Sequence, residues 1–170
     1  MKLLILPGFS PSNKDWTSYL KTKLKSSYDV FAIDWIHWNL GGGLKLKEEM
    51  KKIRKIVVED NFNMIAKSVG TMVAMKVLSE YKDKVNKIIL CGIPTINYKR
   101  MNLMRDSLKG FDPKKIICFQ NSKDPFVAYN DLTKEMRKMD KKIKVIEKEA
   151  RNHDYFYLED FNKFLSSKAI

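Results

Sequence analysis

The chain is short of histidine, cysteine and arginine, and each shortage narrows its reading. Two histidines, His37 and His153, leave few candidates for a step that needs a group titrating near neutrality. Two cysteines, Cys91 and Cys118, sit in or just after apolar strand-like runs without CxxC spacing. That pattern argues for buried free thiols and against a structural zinc site. No apolar run approaches the roughly 20 residues of a membrane span. The apolar start, Leu3 to Leu6, stops at Pro7-Gly8, too short for the core of a signal peptide. The expected location is therefore cytoplasmic, with no membrane partner. Repeats and low-complexity linkers are also lacking, so residues 1–170 are read as one domain.

Acidic residues are in deficit, 20 against 33 Lys and Arg, which gives a formal net charge of +13. Such a charge invites a nucleic-acid reading. Only Arg54, Arg100, Arg105, Arg137 and Arg151 are arginines, and arginine is the usual bidentate reader of phosphate and guanine. The lysines are scattered, as in Lys21, Lys23 and Lys25 or Lys141, Lys142 and Lys144. They read as a solvated surface, and a nucleic-acid partner is not expected. A basic nucleic-acid or anionic-surface binder stays as a rival. It requires lysines gathered on one face and binding that weakens steeply with salt.

Present throughout is an alternation of short continuous apolar runs with helical periodicity. Lys2–Leu6, Val30–Ile33, Asn63–Ala66, Lys87–Cys91, Lys115–Phe119 and Ile143–Glu147 read as strands buried on both faces. Trp16, Leu20 and Leu24 mark one helix. Others run from Leu46 to near Asp60, from Val69 to Tyr81, over Arg100–Lys109, over Asp131–Met139 and over Phe161–Ser166. The βαβα order predicts an α/β fold: three layers, α/β/α, around a mainly parallel six-stranded sheet. Right-handed crossovers bring the strand C-termini to one edge, where ligands bind in open α/β sheets. Residues that carry chemistry belong just after strands.

Ala66-Lys67-Ser68-Val69-Gly70 follows a strand and enters a buried helix, the setting of a nucleophile elbow. Small residues stand two before and two after the serine, where the chain passes close to neighbouring strands. A serine at such a junction is more often a plain helix cap, so the motif needs company. A serine hydroxyl needs a base at neutral pH. His153, in a loop after the last strand, suits the order Ser…Asp…His. His37, after the second strand, either lines the site or packs among tryptophans. Asp124 follows the fifth strand in Asn121-Ser122-Lys123-Asp124-Pro125-Phe126-Val127 and is the candidate to orient the imidazole. It can equally be an Asp-Pro turn. Asp154 is too close to His153 in sequence to grip its ring. The expected oxyanion donors are the backbone N–H groups of Val69, at a helix N-terminus, and of Phe9, in the loop Pro7-Gly8-Phe9-Ser10.

These motifs together resemble the α/β-hydrolase superfamily over nearly the whole chain. Leu6-Pro7-Gly8-Phe9-Ser10-Pro11-Ser12 looks like its oxyanion loop, Asn121 to Val127 like its acid turn, and Asn152-His153 like its terminal Gly-His. The compact, lidless length is similar to the group of retinoblastoma-binding-protein-9. The sequence departs from the pattern at Pro7, where a histidine is common, and at Ala66 and Asn121, where glycines are usual. The resemblance implies the strand order 2-1-3-4-5-6 and a serine hydrolase with Ser68, Asp124 and His153 as its triad, needing no cofactor and no metal. A small acyl compound, an ester first and a thioester second, is the implied substrate. Ser10, Trp35, Met101, Met104 and Phe126 are expected to line its site. A non-catalytic interaction module that keeps the fold is the other alternative. The oligomeric state is not legible.

Overall fold

The computed structural model describes residues 1–57 and 60–167. Six strands form one sheet: β1 (Lys2–Leu6), β2 (Asp29–Ala32), β3 (Phe62–Lys67), β4 (Val85–Cys91), β5 (Ile116–Asn121) and β6 (Lys144–Lys148). All neighbours pair in parallel, and the order is β2-β1-β3-β4-β5-β6. The helices among the described residues are α1 (Asn13–Leu24), α2 (His37–Leu40), α3 (Leu46–Val57), α4 (Val69–Tyr81), α5 (Tyr98–Leu108), α6 (Tyr129–Met139) and α7 (Leu158–Ser166). The architecture and strand order are those expected. The expected extension of α3 toward Asp60 includes residues 58 and 59, outside the described ones. The short α2 was not anticipated, because four residues carry no helical period.

Alternation along the strands sorts the core into two layers. Leu4, Leu6, Met64, Ala66, Ile88, Leu90 and Cys118 face α3, α4, α5 and α6. Leu3, Ile5, Ile65, Ile89, Cys91, Ile117 and Phe119 face α1 and α7. Both faces are covered, so the strands read as unbroken apolar runs rather than alternating ones. Each fully buried Leu or Ile contributes about 1.5–3 kcal/mol. Cys91 and Cys118 are free and buried in these layers, and burial pushes both thiols up, Cys118 to about 12. No helix among the described residues is long and apolar enough to cross a membrane. Parallel pairing leaves the C-terminal ends of all six strands on one edge, and the loops that follow them meet there.

Candidate active site

Ser68 is the single residue between β3 and α4, and the reversal falls on it alone. Its backbone sits at φ 54° and ψ −122°, and it is the only non-glycine at positive φ among the described residues. A side chain held there costs about 1–3 kcal/mol. The surroundings fix it: Ser68 N–H donates to Cys91 O of β4 at 2.9 Å, and Ser68 O accepts from the N–H of Thr71 (3.0 Å) and its hydroxyl (2.6 Å). Ser68 makes no side-chain capping bond, so it is not a plain helix cap. Gly70 explains its own identity. A Cβ there would stand 2.2 Å from Leu6 O and 2.6 Å from Pro7 O, so α4 can approach the end of β1 only with glycine. Ala66 is fully buried between β1 and β4 and fills the elbow's other small position.

The loops after β5 and β6 bring the acid and the histidine together. His153 Nδ1 lies 2.6 Å from Asp124 Oδ2. Asp124 Oδ1 accepts from Phe126 N–H at 2.9 Å, which closes the Asp-Pro turn onto the carboxylate. Burial raises the Asp124 carboxyl, but the hydrogen bonds from His153, Tyr155 and Phe126 outweigh it and hold the group below its ordinary value. An ionised carboxylate only accepts, so Nδ1 carries a proton, and in the neutral ring Nε2 is then the free acceptor. That is the tautomer of a general base. Nε2 is buried and has no hydrogen-bond partner among the described residues. The ring rests on Gly92, where a Cβ would come within 2.7 Å of His153 Cε1 and 2.5 Å of the Tyr155 ring. Gly92 follows Cys91, whose carbonyl holds Ser68, so the end of β4 carries both the serine anchor and the histidine seat. The Ser68 hydroxyl is not bonded to Nε2 in this geometry; such contacts are commonly long in unliganded sites and tighten with substrate.

The loop after β1 is pinned by rings. Trp35 Nε1 donates to Gly8 O at 2.9 Å, and His37 Nε2 (2.8 Å) and Trp38 Nε1 (2.7 Å) both meet Phe9 O. A trans peptide points its C=O and N–H in opposite directions. Trp35 therefore aims the Phe9 N–H away from itself by holding the Gly8 carbonyl. His37 also stacks on Phe9, centroids 4.4 Å apart, and its remaining nitrogen is buried without a partner. Val69 N–H opens α4, where the first amides have no intrahelical acceptor.

The remaining expected residues fall into four places. Phe126 is 63% exposed and lies edge-on to His153 at 4.6 Å, at the mouth of the site. Met101 and Met104 are buried against Thr71, Met72 and Ile93, around a cavity of about 10 Å³, room for roughly one water. Trp35 is a correction: expected to line the site, it is fully buried and reaches it only through Gly8 O. Ser10 keeps its hydroxyl local, 3.0 Å from that of Ser12. A cleft of about 730 Å³ lies at the other end of the sheet, beside Phe111, Ile116 and Ile143, and holds none of these groups. The strained serine and the Asp–His pair lie at the opposite end from that volume.

Sequence reading missed the Asn121 clamp. Asn121 Nδ2 donates to Asn152 O (2.8 Å) and Asp154 O (3.1 Å), the carbonyls on either side of His153. Its Oδ1 accepts from the Tyr157 hydroxyl at 2.7 Å. The departure from glycine in the acid turn is thus what ties the histidine loop to β5. One signal was available: positions 153, 155 and 157 recur at the two-residue period of an extended chain, whose side chains share a face.

A family model described as the alpha/beta hydrolase fold matches residues 3–116, more than half of the chain. The chain belongs to the α/β-hydrolase fold family. No curated protein matches it at the sequence level. Solved structures do. The ydeN gene product from B. subtilis superposes with a TM-score of 0.65 at 14% identity, covering 98% of this chain and 99% of that one. The Bacillus cereus carboxylesterase gives 0.62 at 16%, covering 96% and 85%. A monoacylglycerol lipase from Paleococcus ferrophilus gives 0.62 at 11%, covering 96% and 91%. At these identities the likeness speaks for the fold, and the α/β-hydrolase site must be argued from this chain's own residues.

Proposed function

We propose that this α/β-hydrolase is a serine hydrolase that cleaves small carboxylic esters, or thioesters, through an acyl-serine intermediate. One observation carries the reading: Ser68 alone among the described non-glycine residues is held at positive φ, at the turn from β3 into α4, on the edge that carries the Asp124–His153 pair. Strain kept at one polar residue has a use when it presents that residue to a ligand.

In the reaction Ser68 Oγ attacks the acyl carbon while His153 Nε2 takes its proton. Asp124 stabilises the imidazolium that results. The N–H groups of Phe9 and Val69 bind the tetrahedral oxyanion, in directions fixed before substrate arrives. His153 then passes the proton to the leaving alkoxide or thiolate. Water, deprotonated by His153, releases the acid and restores Ser68. The cavity beside Met101 holds roughly one water, so the acyl group sits on an open surface near Phe126 and Phe9 rather than in a deep pocket.

A non-catalytic module is the second reading, favoured by one observation: Nε2 of His153 has no hydrogen-bond partner among the described residues, the Ser68 hydroxyl included. Labelling with a fluorophosphonate probe, read by intact mass, separates the two. Stoichiometric addition to wild type and none to Ser68→Ala is expected. A folded wild type that takes up no label would overturn the hydrolase reading.

A further inference from the structure

Asp124 Oδ2 has two donors where the proposed mechanism uses one. The Tyr155 hydroxyl lies 2.6 Å from it, the same distance as His153 Nδ1. The same phenol oxygen accepts the Asn121 N–H at 3.1 Å, so its own proton is directed at the carboxylate. Tyr155 is fully buried. Its ring meets that of His153 edge-on at 5.6 Å, and its backbone carbonyl is held by Trp16 Nε1 at 2.8 Å. Neither end of this residue is free to turn away.

Resting on the serine-hydrolase reading for its catalytic meaning, we propose that Tyr155 is a positioning residue that shares Asp124 Oδ2 with His153 and thereby sets how strongly the carboxylate draws a proton onto the imidazole. A neutral donor spreads the charge of the carboxylate it binds. With Tyr155 in place, Asp124 stays ionised despite its burial, yet offers His153 only part of one oxygen. Among the described residues the other groups bonded to Asp124 are the N–H groups of Phe126 and Val127, both on Oδ1, so Tyr155 is the one described side chain competing with His153 for Oδ2. Lys67, close enough to act on Asp124 through its charge, adds a field but no hydrogen bond.

The test is the titration of His153 by imidazole NMR in the resting protein, with His37→Gln to assign the signals. Removing the phenol in Tyr155→Phe concentrates charge on Oδ2. The His153 midpoint should rise by about half a pH unit or more, at least a threefold gain in proton affinity. The acid limb of the kcat/KM profile should move with it. Tyr157→Phe removes a hydroxyl that bonds Asn121 rather than Asp124, and should leave the midpoint in place. A folded Tyr155→Phe with an unmoved midpoint would refute the sharing. Should that variant not fold, the ring Cζ of Tyr155 in wild-type protein serves: its chemical shift should titrate in step with His153, and a flat response would refute the proposal. Because the NMR needs no turnover, it stands apart from probe labelling. Absent labelling with a moved midpoint overturns only the hydrolase reading; normal labelling with an unmoved midpoint overturns only the role of Tyr155.

Discussion

Two lysines, buried to similar depth at opposite ends of the sheet, live in unlike surroundings. Lys87, near the start of β4, gives its ammonium to Phe164 O (2.7 Å), Leu165 O (3.1 Å), Ser167 O and Ser167 Oγ (2.9 Å). It caps the C-terminus of α7, where the helix dipole favours a cation. Lys67, at the end of β3 beside Ser68, has Asp154 Oδ1 at 4.0 Å and the Trp16 ring at 5.7 Å. His37 and His153, in loops that follow strand ends, each keep a buried nitrogen without a hydrogen-bond partner among the described residues. At the strand starts, the buried Lys87 ammonium is satisfied by the fold. At the strand ends, some buried polar groups are left open and one backbone residue is strained. The first end ties a helix terminus to the sheet, and the second leaves polar groups that the fold does not use.

If that division is right, variants at the two ends should separate activity from stability. The largest effect is expected for Asp124→Asn, which loses the carboxylate that fixes the His153 tautomer. Ester turnover should fall by about 10⁴-fold with the circular-dichroism melt little changed; a loss under tenfold would remove Asp124 from the mechanism. Trp35→Phe keeps the buried ring but frees Gly8 O. Here kcat should drop by roughly 10- to 100-fold with KM nearly constant, since an oxyanion donor acts in the transition state. A rise in KM alone would mean that Trp35 shapes ground-state binding instead.

At the other end the signs reverse. Lys87→Met should leave kcat unaltered and lower stability by about 1–3 kcal/mol in denaturant titration, because the carbonyls ending α7 lose their donor. A drop in turnover without loss of stability would break the division. Lys67→Met offers the finest test. Burial pulls the Lys67 amine below its ordinary value, against the opposing charge of Asp154. The unfolded chain then binds more protons than the folded one between the folded value and 10.5, so wild-type stability should rise with pH through that window. Lys67→Met should flatten this rise and gain about 1 kcal/mol at neutral pH. Equal slopes in the two proteins would show Lys67 to be adequately solvated or paired.

Much of this organisation was legible in the residues. Runs such as Leu3–Leu6 and Ile88–Cys91 are too apolar and too short for anything but strands covered on both faces. Their alternation with Trp16/Leu20/Leu24-type stripes sets the class of fold. β1 matched at both ends and no strand end was out by more than two residues, as at β4, which starts at Val85 because the turn at Lys82–Lys84 leads straight into it. Ser68, Asp124 and His153 could be singled out because parallel topology sends every strand end to one edge. Trp35 was misjudged because a tryptophan after a strand serves equally as wall or as core; its fate depended on the Gly8 carbonyl meeting its indole. Asn121 and Tyr155 were hidden for a related reason. Their roles arise from contacts across 31 to 34 positions of chain, and the period-two spacing of 153, 155 and 157 could place those side chains on one face without naming their partners.

Sequence by itself, then, determined the parallel α/β sheet, the edge on which its strands end and the residue types that gather there, because burial pattern and chain order are local properties. Tertiary structure decided the conformation of Ser68, the tautomer of His153 and the direction of the Phe9 N–H. Each depends on which carbonyl or carboxylate from a distant loop arrives within hydrogen-bond reach, and a distance of 2.6 Å is set by packing three elements together rather than by any one of them.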